Sequence, residues 1–451
     1  MKKNTAPAIC LALAILTVVA VIVSVGLHRS VPTFTSPDSP SENAPAQTKS
    51  LSASVDIDKL AVDLSNLSKK EISVTLLSNL DKKQLNSLKT AAEEGNYSDS
   101  LWHELTGYTL NSLIDKYITL ASKDLGNNGK DEFTLGFTGD INFTETGYVM
   151  THAKNMPNGV LDCIDETFQE EMRSADIMLV NNEFPYTDRG APTPGKKYTF
   201  HANPEYVKYM VELGVDLVSL ANNHASDYGP ESFEDTVSTL KNAGIPYVGA
   251  GMNYEEASRP VTFIINGYKV GYLACCGVES PIKTPVATAD SYGILGSYDN
   301  GRGMEEAIRK AKTACDYVIA YPHWGIESTT SLTNAQLANS KKWIDAGADA
   351  VVGGHPHILQ GFEFYRGAPV VYSLGNFWFN TRYQPTGLLK LIIGKDGMKT
   401  VFVPGRQAGS ETHYMADAAA RRALYDELER YQPFNKVTID DDGVITERTS
   451  L

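Results

Sequence analysis

Residues 351–357, Val-Val-Gly-Gly-His-Pro-His, place an apolar pair, a glycine pair and two imidazoles in one short run. Val351 and Val352 read as the end of a buried strand, and the glycines let the chain turn where side chains would obstruct a ligand. Pro356 stiffens the spacer. In an extended segment residues i and i+2 project to one side, so His355 and His357 can address one small site. Neutral imidazole is the commonest metal ligand in proteins. The competing explanation for an isolated His-x-His is a hydrogen-bonded pair in a surface loop, and the rest of the chain must decide.

Working outward, apolar β-branched runs alternate with amphipathic ones. FTLGFTG (133–139), DIMLVNN (176–182), VDLVSLANN (215–223), IPYVGA (245–250), VTFII (261–265), YKVGYLAC (268–275), DYVIAYPH (316–323), ADAVVGG (348–354) and PVVYSLGN (369–376) are strand candidates. Helical spacing is predicted over 203–214, 230–244, 304–315 and 334–347. This alternation predicts an α/β domain with largely parallel strands, which present ligands at their carboxyl ends.

Residues able to do chemistry recur where these apolar runs stop. Asp140 and Asn142 follow the first run, Glu183 the second, and Asn222, Asn223 and His224 the third. His323, with Glu327 nearby, ends a fourth, and His355 and His357 follow a fifth. Each alone has an ordinary explanation, as a turn cap, a loop bridge or a packing histidine. Together they are better satisfied by one shared metal site, because buried polar groups need partners. Carboxylate, amide and imidazole without thiolate suit a divalent metal such as Mn, Fe or Zn. The set is large enough for two ions bridged by Glu183.

The 451-residue chain carries a formal charge of −14, which argues against nonspecific nucleic-acid binding. Residues 8–27 are uncharged, long enough to span a bilayer, and follow Lys2 and Lys3. The expectation is an uncleaved single-pass anchor in the cell membrane, with the main domain extracytoplasmic; a cleaved signal peptide is the rival. The predicted organisation is a transmembrane anchor (1–29), a disordered Ser/Pro-rich linker (30–54) and a helical region (55–130). The main domain (131–406) and a C-terminal helix and strand extension (407–451) follow. Five cysteines do not make a disulfide scaffold and read as buried thiols, although Cys315 pairing with Cys275 or Cys276 stays open.

The ordered set GFTGDIN, VNNEFPYTDRG, SLANNHASDYG, YPHWGIE and GGHPHILQGFEFYRGAPVVYSLGNFWF resembles the CapA family of capsule synthesis proteins over roughly Phe133 to Val403. That family is associated with poly-γ-glutamate and is similar to calcineurin-like metallophosphoesterases. The resemblance implies a four-layer sandwich, two central sheets flanked by helices. It makes Asp140 and His357 ligands of one metal, Asn223, His323 and His355 ligands of a second, Glu183 the bridge and His224 the proton donor. Asn142 stands where the pattern has histidine and Glu183 where it has aspartate, which leaves a mononuclear site open.

The resulting expectation is metal-dependent hydrolysis or transfer in poly-γ-glutamate capsule synthesis or export, beside other membrane proteins of the synthesis complex. The alternatives are a non-catalytic polyanion-binding factor and a general cell-envelope phosphoesterase. Arg189, Lys196, Lys197 and Arg382 are the cations expected to meet an anionic polymer such as poly-γ-glutamate, with Asn142 and Glu327 as further substrate contacts.

Overall fold

The computed structural model describes residues 82–95, 122–279, 281–431 and 437–448, with isolated helical positions at 59–60, 63–64 and 77. The expected anchor and linker, and much of the 55–130 region, lie outside the described residues. No helix among the described residues is long and apolar enough to cross a membrane. Within 55–130 the helix Lys82–Glu93 is present. The helical region expected over 55–130 ends differently, because Ser122–Asp124 is an edge strand paired in parallel with Val261–Ile265.

Two large sheets dominate. The seven-stranded sheet runs in the order Ser122–Asp124, Val261–Ile265, Tyr268–Cys276, Tyr317–His323, Ala350–Val352, Ala368–Val371, Phe362–Tyr365. Its four strands from Tyr268–Cys276 to Ala368–Val371 are parallel neighbours. In the ten-stranded sheet, Glu132–Ile141, Ile177–Asn182, Leu217–Ser219 and Tyr247–Val248 form a second parallel set. The helices Pro230–Asn242, Arg302–Lys312 and Asn334–Asp345 lie where helical spacing was read. The segment 203–214 divides into a 3-10 turn, Pro204–Tyr206, and a short helix, Val207–Glu212.

Strand alternation explains the layering. Phe133, Leu135, Phe137, Ile177 and Leu179 face a core shared with Phe263, Val270, Tyr272, Ile319 and Tyr321 of the other sheet. Met178 and Val180 point the opposite way, into a second core with Phe168, Met210, Phe233 and Leu240. Val318, Ala320 and Val351 point into a third, with Met304, Ile308 and Trp343. Two sheets therefore pack face to face, with helices against both outer faces. Each fully buried large apolar side chain contributes about 1.5–3 kcal/mol.

The sequence pattern missed a long hairpin. Gln384–Gly394 and Gly397–Ala408 pair antiparallel around a tight turn, and the first of them pairs antiparallel with Glu132–Ile141. Pro404 reads as a strand terminator, yet the strand runs through it to Ala408, across the boundary placed at residue 406. In the C-terminal extension, the strands Val437–Ile439 and Val444–Glu447 join the ten-stranded sheet on that hairpin. Cys163, Cys275, Cys276 and Cys315 are buried free thiols, so the open Cys315 pairing is not made.

Candidate metal centre

The two parallel sets end at the same place. Asp140 lies near the end of Glu132–Ile141, Glu183 directly follows Ile177–Asn182, and Asn223 and His224 follow Leu217–Ser219. From the other sheet, His323 ends its strand and His355 and His357 follow Ala350–Val352. All are buried except His357, which is half-buried.

Two ligand groups form. Glu183, His323 and His355 make one, and Asp140, Glu183 and His357 the other, each with its ligand atoms within 4.8 Å of one another. Glu183 is common to both. Its Oε1 has no hydrogen-bond partner although fully buried. It instead faces Nε2 of His323 at 3.6 Å, of His357 at 3.9 Å and of His224 at 4.0 Å. A buried carboxylate oxygen ringed by imidazole nitrogens and bonded to none is a misfit that a cation removes, so the donor set fits divalent metal. Asn223 joins it, its Oδ1 2.8 Å from His323 Nε2.

The loop that carries the histidines is built differently from the extended segment read in the sequence. His355 and His357 themselves have positive φ, 96° and 59°. This strained geometry is rare outside glycine and persists at functional sites because the surroundings enforce it. Both rings still reach the site, through the twist and not through i, i+2 alternation. Gly354 provides room: a Cβ there would meet Asp140 Oδ1 at 2.8 Å.

The electrostatics follow from burial and from the neighbours. Burial pulls His323 down to about 3 and His355 well below its usual value, so both rings are neutral. Burial would raise Asp140, but the hydrogen bond and charge of His357, with His323 and Asn181, hold it at about 2. Burial and the charge of Asp140 push Glu183 well up. Burial would lower His357, yet the charges of Glu183 and Asp140 lift it to about 9. Asp140 is therefore the site's anion, while the shifts of Glu183 and His357 both favour their protonated forms.

A second set of contacts orients these groups. Asn181 Nδ2 lies 2.8 Å from Asp140 Oδ1, 3.3 Å from Glu183 Oε2 and 3.3 Å from His323 Nδ1. Asn376 Oδ1 lies 2.8 Å from His357 Nδ1. His224 Nδ1 is 2.6 Å from Asp227 Oδ2, which turns Nε2 toward Glu183. Burial lowers the His224 pKa, and Asp227 opposes that. Sequence reading missed Asn181, Asn376 and Asp227. Signals existed: Asn181 precedes Glu183 at the same strand end, Asp227 lies three residues after His224, and Asn376 follows an apolar run.

The expected substrate contacts fare unevenly. Asn142 is occupied internally: its Oδ1 accepts from Thr144 and its Nδ2 donates to the Glu183 carbonyl at 3.4 Å. Arg189 is turned to Asp235, with Nη2 to Oδ1 at 2.6 Å, and to Glu234. Lys196, its side chain only 2% exposed, bridges Asp227 at 2.7 Å and Glu279 at 2.9 Å and donates to the Asn223 carbonyl. A loop read as a polymer-gripping basic strip thus pairs two of its three cations with acids of the same chain, Lys196 in the interior and Arg189 on the surface. Lys197 is exposed beside Tyr198. Glu327 and Arg382 are exposed at the site, and Arg382 donates to Ser328 Oγ at 3.3 Å.

Residues 134–381 match the family model described as bacterial capsule synthesis protein PGA_cap. The chain is 31% identical over 278 residues to a capsule biosynthesis protein CapA of Bacillus anthracis, across 59% of this chain and 65% of that one. It is 29% identical over 272 residues to a PGA biosynthesis protein CapA of Bacillus subtilis, across 59% and 69%. The chain thus spans a little under two thirds of the anthracis relative. A hypothetical protein from Thermus thermophilus superposes with a TM-score of 0.38 at 14% identity, across 61% of this chain and all of that one, a likeness too slight to bear on fold or function.

Proposed function

Because the chain belongs to the PGA_cap family of bacterial capsule synthesis proteins, we propose that it acts in poly-γ-glutamate capsule synthesis or export as a metal-dependent hydrolase of the calcineurin-like metallophosphoesterase kind. The observation that carries this reading is the pair of overlapping ligand groups sharing Glu183, whose inner oxygen lacks any hydrogen-bond partner. Asp140, Glu183 and His357 would hold one divalent ion, and Glu183, Asn223, His323 and His355 another. When bound, such ions supply Lewis acidity and a hydroxide nucleophile at neutral pH.

The protein's own groups do the rest. His224 Nδ1–H donates to Asp227 and Nε2 faces the site, so the doubly protonated ring, whose charge Asp227 supports, is the form that hands its Nε2 proton to the leaving oxygen. In phosphoester hydrolysis, the water gives up a proton to solvent as its oxygen bonds to phosphorus, the P–O ester bond breaks, and the departing alcohol leaves with the Nε2 proton, which the ring then regains from solvent. Lys196 holds Asp227 in place behind the ring. Phosphorus is an electrophile whose attacking and leaving oxygens a two-metal site would stabilise. The protein is further proposed to be tethered to the cell membrane through residues 8–27 with its α/β domain outside, alongside membrane partners of the synthesis complex.

The test is metal analysis followed by assay. Purified protein dialysed against manganese and then buffer should retain close to two ions per chain and cleave bis(4-nitrophenyl) phosphate. Protein that retains none, or that is inert with manganese, zinc and iron alike, defeats the reading. The binding-only alternative is weakened by the internal pairing of Arg189 and Lys196.

A further inference from the structure

The open side of the site is walled with hydrocarbon. Phe200 lies on His224 with ring centroids 4.2 Å apart, Phe379 lies on His357 at 4.7 Å, and the two phenyl rings meet edge to face at 5.7 Å. Both are half-buried. The main chain under each ring is anchored by a hydrogen bond. Phe200 N–H donates to Asp227 Oδ2 at 2.7 Å and Phe379 N–H to Gln407 Oε1 at 3.2 Å. The group that leaves toward His224 therefore meets phenyl faces that cannot satisfy a polar atom.

The apolar character continues outward. Ile326 is 59% exposed and Tyr383 is 72% exposed. Their loops are joined to each other and to the site: Arg382 donates to Ser328 Oγ at 3.3 Å, and Ser328 N–H donates to the carbonyl of Pro356, between the two site histidines, at 2.8 Å. Single exposed apolar residues need no account; Tyr383 adjoins Arg382 four residues after Phe379, with the Arg406 guanidinium 4.6 Å from its ring centroid, and Ile326 lies two residues before Ser328. Cations at the centre and the Arg382 guanidinium at the rim suit an anionic head; the wall between them suits a tail.

We propose that the site takes an anionic amphiphile, a phosphate ester whose leaving group carries an apolar chain along Phe200, Phe379, Ile326 and Tyr383. This rests on the metal-dependent phosphoester reading above and narrows its substrate class. A bare carboxylate polymer finds no partner on that wall, because pressing charge against phenyl faces strips its water without replacement.

The test is calorimetric titration of the full chain in non-ionic detergent, loaded with manganese and with metal content checked, using methyl, propyl and hexyl phosphate. Affinity should rise about twofold for each methylene laid on a half-buried wall, so hexyl phosphate should bind about 30-fold tighter than methyl phosphate. Phe379→Ser should cut that hexyl-to-methyl ratio at least about threefold. Ile326→Ser, at a position too exposed to affect folding, should lower it too. A flat series with methyl phosphate bound, or a ratio unchanged in both variants, overturns the inference and leaves the metal-dependent reading standing. Failure of methyl phosphate to bind the manganese-loaded chain overturns the phosphoester reading and the inference together.

Discussion

The two parallel strand sets bring unlike chemistry to one seam. The set in the ten-stranded sheet ends in Asp140, Glu183 and Asn223; the set in the seven-stranded sheet ends in His323, His355 and His357. Alone, the first would hold two buried carboxylates, and burial together with the charge of Asp140 already drives Glu183 toward its protonated form. Alone, the second would hold imidazoles kept neutral by burial. Neither half makes a cation site, and the pairing of acids from one sheet with bases from the other does. Glu183→Gln breaks this most directly, since it removes the ligand both groups share. Metal analysis should show loss of both ions at concentrations that saturate the native protein, an affinity drop beyond the ~100-fold upper range for outer partners, with turnover abolished. Retention of two ions would mean the seam is not what holds them.

His224 belongs to the acidic half by sequence position but contributes a proton where its neighbours contribute ligands. His224→Ala should lower turnover by about 10²–10⁴-fold while the metal content stays native. Loss of metal in that variant would move His224 from proton donor to ligand.

The same division explains what could be read from sequence. Asp140, Glu183, Asn223, His323, His355 and His357 all stand at the ends of apolar runs, because a parallel sheet delivers its loops to one edge and strand ends are visible as breaks in hydropathy. The left-handed backbone of His355 and His357 left no such mark, since it is imposed by contacts such as Gly354 against Asp140. The fates of Arg189 and Lys196 were equally hidden. Each is answered by an acid far away in sequence, Asp235, Asp227 or Glu279, and local pattern does not report such distances. The hairpin of Gln384–Gly394 and Gly397–Ala408 escaped because Pro404 sits inside it.

The seam also has a pH signature. His357, held at about 9, lies above its free value of 6.5. Without metal, its charged pair with Asp140 stabilises the fold fully below about pH 6.5, and that contribution fades as pH rises through 9. Metal needs the neutral ring, so its binding releases the proton. Manganese affinity should therefore climb by up to about tenfold per pH unit between 6.5 and 9, while the metal-free protein loses thermal stability across the same window. A pH-independent affinity would place His357 outside the ligand set.

Asn376, on a strand paired with Glu132–Ile141 in the acidic half's sheet, tests whether orientation of a histidine matters as much as its identity. Its Oδ1 fixes the His357 ring at 2.8 Å. Asn376→Ala leaves every ligand in place, and should weaken manganese binding about 10–100-fold with little change in the His224-dependent step. Equal loss in both would argue for a local collapse instead.

The smallest effect separates adjacent lysines on the loop that follows Ile177–Asn182 within the acidic half. Lys196 is buried between Asp227 and Glu279, whereas Lys197 is exposed, with its ammonium 4.9 Å from the Tyr198 ring centroid. An exposed cation of this kind contributes only about 0–1 kcal/mol. Lys197→Ala should therefore leave the unfolding midpoint nearly unchanged and weaken an anionic substrate by about twofold at low salt, an effect that disappears as added salt screens it. A larger, salt-insensitive loss at Lys197 would restore the loop as a direct grip on polyanion. It would also shift part of the recognition from the seam between the sheets to the loop that borders it.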